Sequence, residues 1–178
     1  MSFGGTTVEN AIQAWIVAAS GLAGAKVIWA EQGGNRPAPP YIAINAITLS
    51  RFGEDWKRIV DLTGDIPPPP VGEEIEVHLE GPREIALSIQ CFADSPLGTA
   101  SAMAILNDVQ ARVRIASIAS ALRTGGVTVR RFDAINSLGA IVGATDWEPR
   151  ATMTAYIGVA SDVSETATYI ETVKITEV

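Results

Sequence analysis

Glu84 to Phe92 reads EIALSIQCF, and its alternation decides the fold class. Successive side chains of a strand point to opposite faces, so Ile85, Leu87, Ile89 and Cys91 share one side and Ala86, Ser88, Gln90 and Phe92 the other. The first side is wholly apolar. The segment is therefore predicted as a central strand.

Toward the C-terminus, Pro96 to Arg114 carries Ala102, Ile105, Leu106, Val109 and Val113 at helical spacing, which predicts a helix with one apolar side. Ile115 to Leu122 reads as a short helical continuation after a bend. Gly125 and Gly126 then turn the chain into a strand over Val127 to Ile135, and Asn136 to Thr145 reads as a Gly-rich loop. Trp147 to Val159 and Tyr169 to Val178 are predicted as the last two strands.

Toward the N-terminus, Tyr41 to Leu49 alternates again, with Ile42, Ile44, Ala46 and Thr48 forming a small or apolar face suited to a helix. Before it, Gln32 to Pro40 (QGGNRPAPP) excludes regular structure, since proline removes ladder donors and clashes in helices. Lys26 to Glu31 is predicted as a strand. The chain opens with a helix. Thr6 and Glu9 have capping-box spacing, and Val8, Ile12, Trp15, Ile16 and Ala19 follow on one side until Gly21 and Gly24. The order predicts an α+β fold, a mainly antiparallel sheet with two helices packed on one face. Residues 1–178 are expected to form a single domain.

Residues 51–84 interrupt this pattern. They hold nine acidic residues against four basic ones, and the run Pro67 to Pro70 is stiff and extended. Trp56 to Leu62 and Glu74 to Leu79 fit strands of a projecting hairpin arm with the prolines at its tip. A disordered acidic loop also fits this composition.

The 178 residues carry a formal charge of −7, which excludes a sequence-independent grip on a nucleic-acid backbone. Apolar residues make up 47%, and the mean hydropathy is +0.22, a surplus that surfaces buried between subunits would explain. No apolar run is long enough to span a membrane, and Met1 to Gly5 lacks the cationic start of a secretory signal. Cys91, the single cysteine, is expected to be buried and inert. His78, the single histidine, is expected in solvent, and no triad or multi-histidine metal set can be built on it.

Neither Glu54-Asp55 nor Glu73-Glu74 converges on a substrate if both lie in strands. Asp61, Asp65 and Glu73 offer oxygens to a hard cation, but without EF-hand spacing. Gly33-Gly34-Asn35-Arg36 lacks the phosphate-loop pattern. No catalytic residue, cofactor or metal is therefore expected.

The stronger signals are for protein contact, where tryptophan and arginine most often anchor interfaces. Candidates are Arg36 with Pro37, Pro39 and Pro40 on the stiff loop, Trp56, Pro67 and Pro68 on the arm, and Trp147, Glu148 and Arg150. Trp147 fits core packing at a strand start equally well.

Four segments carry a family likeness: VIWAEQGGNRPAPPYIAI (Val27 to Ile44), SIQCFADSPLGTASAMAILNDVQARV (Ser88 to Val113), VTVRRFDAINSLGAI (Val127 to Ile141) and WEPRATMTAYIGVA (Trp147 to Ala160). In their order and pattern the chain resembles the bacteriophage neck or tail-terminator (tail-completion) proteins. The acidic arm departs from that pattern. The resemblance implies a structural virion protein that forms a ring, typically hexameric. Such a ring caps the tail tube, ends its polymerisation and docks to the head–tail connector or stopper. It also implies the Gly33 to Pro40 loop and the Glu148-Pro149-Arg150 turn as subunit or partner contacts. The arm is left to a neighbour, tube or sheath contact. DNA would pass through the lumen without specific binding. Head-completion protein and tube subunit are the neighbouring alternatives. A small acidic enzyme or metal-binding protein is the alternative of another class, as is an arm that mimics DNA.

Overall fold

The computed structural model describes residues 6–31, 35–62, 64, 75–138, 140–142 and 146–167. Helix α1 spans Thr6–Ser20, followed by strands β1 (Val27–Trp29), β2 (Tyr41–Arg51), β3 (Trp56–Asp61) and β4 (Ile75–Phe92). Helices α2 (Ala102–Arg112) and α3 (Ala116–Thr124) come next. The remaining strands are β5 (Val127–Phe132), β6 (Asn136–Ser137), β7 (Ala140–Val142), β8 (Asp146–Glu148) and β9 (Arg150–Ala167). The main sheet runs β1-β2-β4-β9-β5, with β3 on β4 and β6 on β9, while β7 and β8 pair separately. This is the expected α+β class. Pairs β3–β4, β5–β9, β6–β9 and β7–β8 are antiparallel, whereas β1 and β2 are parallel.

The chain divides into two compact units. Unit 1 comprises Met1–Ser50 and Arg83–Val159, and unit 2 comprises Arg51–Pro82 and Ala160–Val178.

In unit 1 the alternation of the central strand is realised. Ile85, Leu87, Ile89 and Cys91 are fully buried, joined by Ile42 and Ile44 of β2 and by Ala151, Met153, Ala155 and Ile157 of β9. Ile12, Trp15, Ile16 and Ala19 of α1 cover this face together with Leu106 and Val109 of α2 and Leu122 of α3. Each fully buried Ile or Leu contributes about 1.5–3 kcal/mol relative to exposure.

Three helices cover the sheet instead of two. The stretch after α2 is a separate helix because the chain leaves the helical path at Ile115, whose φ and ψ are −64° and 130°. Helix α2 also starts later than its apolar spacing suggests. Ser101 caps it, its hydroxyl accepting from the Ala104 N–H at 3.3 Å, so Pro96 to Ala100 lie outside the helix.

Further expectations are corrected. Strand β4 joins the two strands predicted over Glu74 to Leu79 and Glu84 to Phe92, running through Gly81-Pro82. Pro82 has no N–H to donate, and its carbonyl accepts from the Phe52 N–H at 3.1 Å as β2 ends. In place of a plain strand to Ile135, β5 carries an irregularity between Val129 and Arg131. One extra residue there lets Val127, Val129 and Phe132 all turn to the helices, and Phe132 sits 6.1 Å from Trp15. The predicted loop at Asn136–Thr145 holds β6 and β7, short strands formed by pairing with β9 and β8. The first of the two last strands runs on to Ala167, and Tyr169 to Val178 lies outside the described residues.

In unit 2, β3 and β4 form the expected antiparallel ladder, from Trp56 opposite Glu80 to Asp61 opposite Ile75. Pro67 to Pro70 and residues 71–74 lie outside the described residues.

Close approach fixes one glycine. A Cβ at Gly125 would lie 2.3 Å from the Cβ of Ala11, so α1 packs directly on this turn. Gly125→Ala is expected to destabilise the protein by about 1–3 kcal/mol, read from urea denaturation. Burial also pushes the Cys91 thiol up to about 12. The folded protein should therefore react with thiol reagents only as fast as it opens, and reaction at the rate of a free thiol would contradict this packing.

Candidate contact surface

The face of the unit 1 sheet turned away from the helices carries a second, smaller cluster. It is built on Tyr41 at the start of β2, Phe92 at the end of β4 and Arg150 at the start of β9. Tyr41 and Phe92 stack with centroids 4.6 Å apart and planes 8° from parallel. The Arg150 guanidinium lies 5.2 Å from the Phe92 centroid, and its Nη2 donates to Gln90 Oε1. Gln90 Nε2 in turn donates to the Ser88 hydroxyl at 3.3 Å.

The backbone holds these ends together. The Ala93 N–H donates to the Pro149 carbonyl at 3.0 Å, and the Leu138 N–H donates to the Arg150 carbonyl at 2.7 Å. The stiff loop approaches from the other side. Lys26 Nζ donates to the Ala38 carbonyl, which ties the loop to the chain entering β1.

The Tyr41 phenol records what surrounds it. Burial pushes its pKa above the ordinary value of 10; Arg36 opposes this by charge and by a hydrogen bond, Glu148 adds to the rise, and Arg150 opposes it. Arg36 and the Glu148–Arg150 turn, singled out separately in the sequence, thus meet around one ring. Arg36 is exposed, and Pro37, Pro39, Pro40, Glu148 and Arg150 are half-buried. The sequence reading missed Tyr41, Gln90 and Phe92. Their signal was present in the alternation, which puts Gln90 and Phe92 on the non-helix face. Only the strand order brings Tyr41 beside them.

The other candidates lie elsewhere. Trp56, in unit 2, is 66% exposed, which suits an anchor awaiting a partner. Trp147 stands in β8 opposite Ile141. Pro67 and Pro68 lie outside the described residues.

His78 departs from its expected place in solvent. Its side chain is only 13% exposed, with Nε2 3.2 Å from Glu76 and Nδ1 3.2 Å from Asp162. A hydrogen bond from Ser164 holds the Glu76 carboxyl below the usual range. His78, Glu80 and Asp162 each bring one ligand atom within 4.8 Å of the others, so among the described residues this set has the donors to hold a cation. Arg58, however, forks onto Glu80 Oε1 at 3.1 and 3.0 Å and makes the group an ion-pair network. Of the acidic trio considered for a hard cation, Asp65 and Glu73 lie outside the described residues.

Stacked aromatics, a cation over a ring and an arginine on a proline-stiffened loop are the means by which proteins grip proteins. A surface of this kind suits contact with another protein. The family described as phage neck terminator protein matches residues 6–178, nearly the whole chain, and the chain belongs to it. No curated protein matches the chain. Membership puts the protein in the tail and neck of a phage particle, among other tail or head–tail proteins. No helix among the described residues is long and apolar enough to cross a membrane.

The raised Tyr41 pKa has a pH consequence. The folded state holds the phenol proton more tightly than the unfolded chain does. Its contribution is therefore intact below about 10, the unfolded value, and is lost as pH rises through the folded value. Urea midpoints should fall as the pH is raised beyond about 10, and Tyr41→Phe should reduce that fall. An equal fall in both proteins would show that Tyr41 is not its source.

Proposed function

We propose that this chain works as one tail-terminator-like domain and assembles into a hexameric ring on the head-proximal end of the tail tube. The ring ends tube polymerisation and docks to the head–tail connector or stopper, with the sheath as a further neighbour where one exists. Membership of the neck terminator family across residues 6–178 carries this reading. The surface around Tyr41 and the exposed Trp56 support it, because a ring subunit needs anchors for neighbours.

The overall charge of −7 suits a lumen through which DNA slides without sticking, since like charge opposes adsorption. The protein is made and assembled in the host cytoplasm and ends in the virion neck.

Light scattering after size exclusion, followed by negative-stain imaging with and without tail tubes, tests the proposal. Closed rings seated on tube ends are the expected result. Open stacks would identify a tube subunit instead, and a strict monomer in the presence of tubes would end the terminator reading.

A further inference from the structure

Unit 2 holds its strands together without a core. Every buried apolar side chain among the described residues belongs to unit 1, while Trp56, Ile59 and Val163 of unit 2 are exposed. A small sheet needs an apolar face or a helix against it for independent stability. Small units that lack such a core are stapled by disulfides or a metal ion. The single cysteine is buried in unit 1, so no disulfide is available. Unit 2 has instead a polar cluster drawn from β3, β4 and β9.

His78 of β4 is at its centre and is its least exposed side chain. Nδ1 lies 3.2 Å from Asp162 Oδ1 on β9, and Nε2 lies 3.2 Å from Glu76 Oε2 on β4. Glu80 brings a ligand atom within 4.8 Å of those of His78 and Asp162. An ionised carboxylate accepts and does not donate, so Nε2 carries a proton for Glu76. The Nδ1 lone pair then faces a second carboxylate, which repels it unless a positive charge joins them. A second proton or a metal ion supplies that charge.

The geometry points to the metal. Two ligand atoms about 2.1 Å from a tetrahedral zinc ion lie about 3.4 Å apart, close to the spacing of Nδ1 and Oδ1. A ligating histidine donates its other ring N–H to a carboxylate in most sites, which fixes its tautomer and its ring plane. Glu76 occupies that place and is itself held by a hydrogen bond from Ser164. Charge agrees. Three carboxylates against the Arg58 guanidinium leave two negative charges around a neutral imidazole, the complement of a divalent cation. Both Arg58 hydrogen bonds fall on Glu80 Oε1, so that pairing does not use Oε2. One nitrogen and two oxygens suit zinc, whereas calcium and magnesium prefer about six or more oxygen ligands.

We infer that His78 Nδ1, Glu80 and Asp162 bind one zinc ion, with Glu76 positioning the imidazole and water completing the shell. The ion ties β4 to β9 within unit 2. His78 and Asp162 are 84 residues apart in the chain, so no local motif announces the set.

Zinc chloride titrated calorimetrically into the chelator-stripped full chain tests the site. About one zinc per chain should bind saturably, and the melting temperature should rise with it. His78→Asn should abolish uptake, and Glu80→Gln, Asp162→Asn and Glu76→Gln should each weaken it about tenfold or more. Glu54→Gln, an exposed position outside the cluster, should leave it unchanged. Because the chain has one histidine, nitrogen NMR reads this ring directly. Zinc should shift Nδ1 and leave the proton on Nε2. Circular dichroism checks folding, and where a variant unfolds the NMR of the unchanged protein decides. Uptake that survives His78→Asn would overturn the proposal. A ring protonated on both nitrogens and indifferent to zinc would show an ion-pair network in its place. Equal uptake of zinc, calcium and magnesium would reduce the cluster to an unselective acidic surface and end the proposal as well.

Discussion

Everything in unit 1 depends on burying one face of the adjacent strands β4 and β9. Ile85, Leu87, Ile89 and Cys91 on one strand and Ala151, Met153, Ala155 and Ile157 on the other leave no polar atom to meet water on that side. A sheet face of this kind must be covered. Helix α1 is placed by that demand, and its Gln13 Nε2 donates to the Val27 carbonyl at 2.7 Å, which anchors it beside β1. The bulge in β5 answers the same demand, because without it Phe132 would turn away from Trp15 and the edge of the core would open. The missing Cβ at Gly125 answers it at the other end, where α1 passes.

Covering one face frees the other. Alternation gives each of these strands a second set of side chains that no helix claims, and at the ends of β2, β4 and β9 that set is Tyr41, Gln90, Phe92 and Arg150. Parallel stacking of two rings beside a guanidinium holds an otherwise mobile arginine in one place. Its hydrogen bond to Gln90 serves the same end.

This division explains what the sequence could and could not reveal. Period-two alternation reports which face a residue occupies, so the core residues of β2 and β4 and the apolar side of α2 were legible. Alternation is silent about which strands are neighbours. Tyr41, Phe92 and Arg150 are far apart in sequence, so their meeting required the order β2-β4-β9. Composition singles out Arg36 and Arg150 as contact candidates, but nothing in composition joins them. Local signals misled where tertiary pairing overrode them. Glu74 to Leu79 and Glu84 to Phe92 read as separate strands, yet β4 runs through Gly81-Pro82, where the Pro82 carbonyl accepts from the Phe52 N–H. The parallel pairing of β1 with β2 was equally hidden. The stiff loop looks too short for a crossover, since parallel neighbours usually need about a dozen residues or more between them.

The charge pattern adds a constraint that neither the core nor the aromatic cluster supplies. A net acidic chain with its charges evenly mixed would repel its copies weakly at every orientation. Here residues 51–84 hold nine acidic side chains against four basic, so the excess is concentrated in one stretch and orientation matters. Copies that bring two such stretches together are repelled, which disfavours a two-fold dimer built on that stretch, in which a patch meets itself, and leaves approaches through other surfaces less opposed.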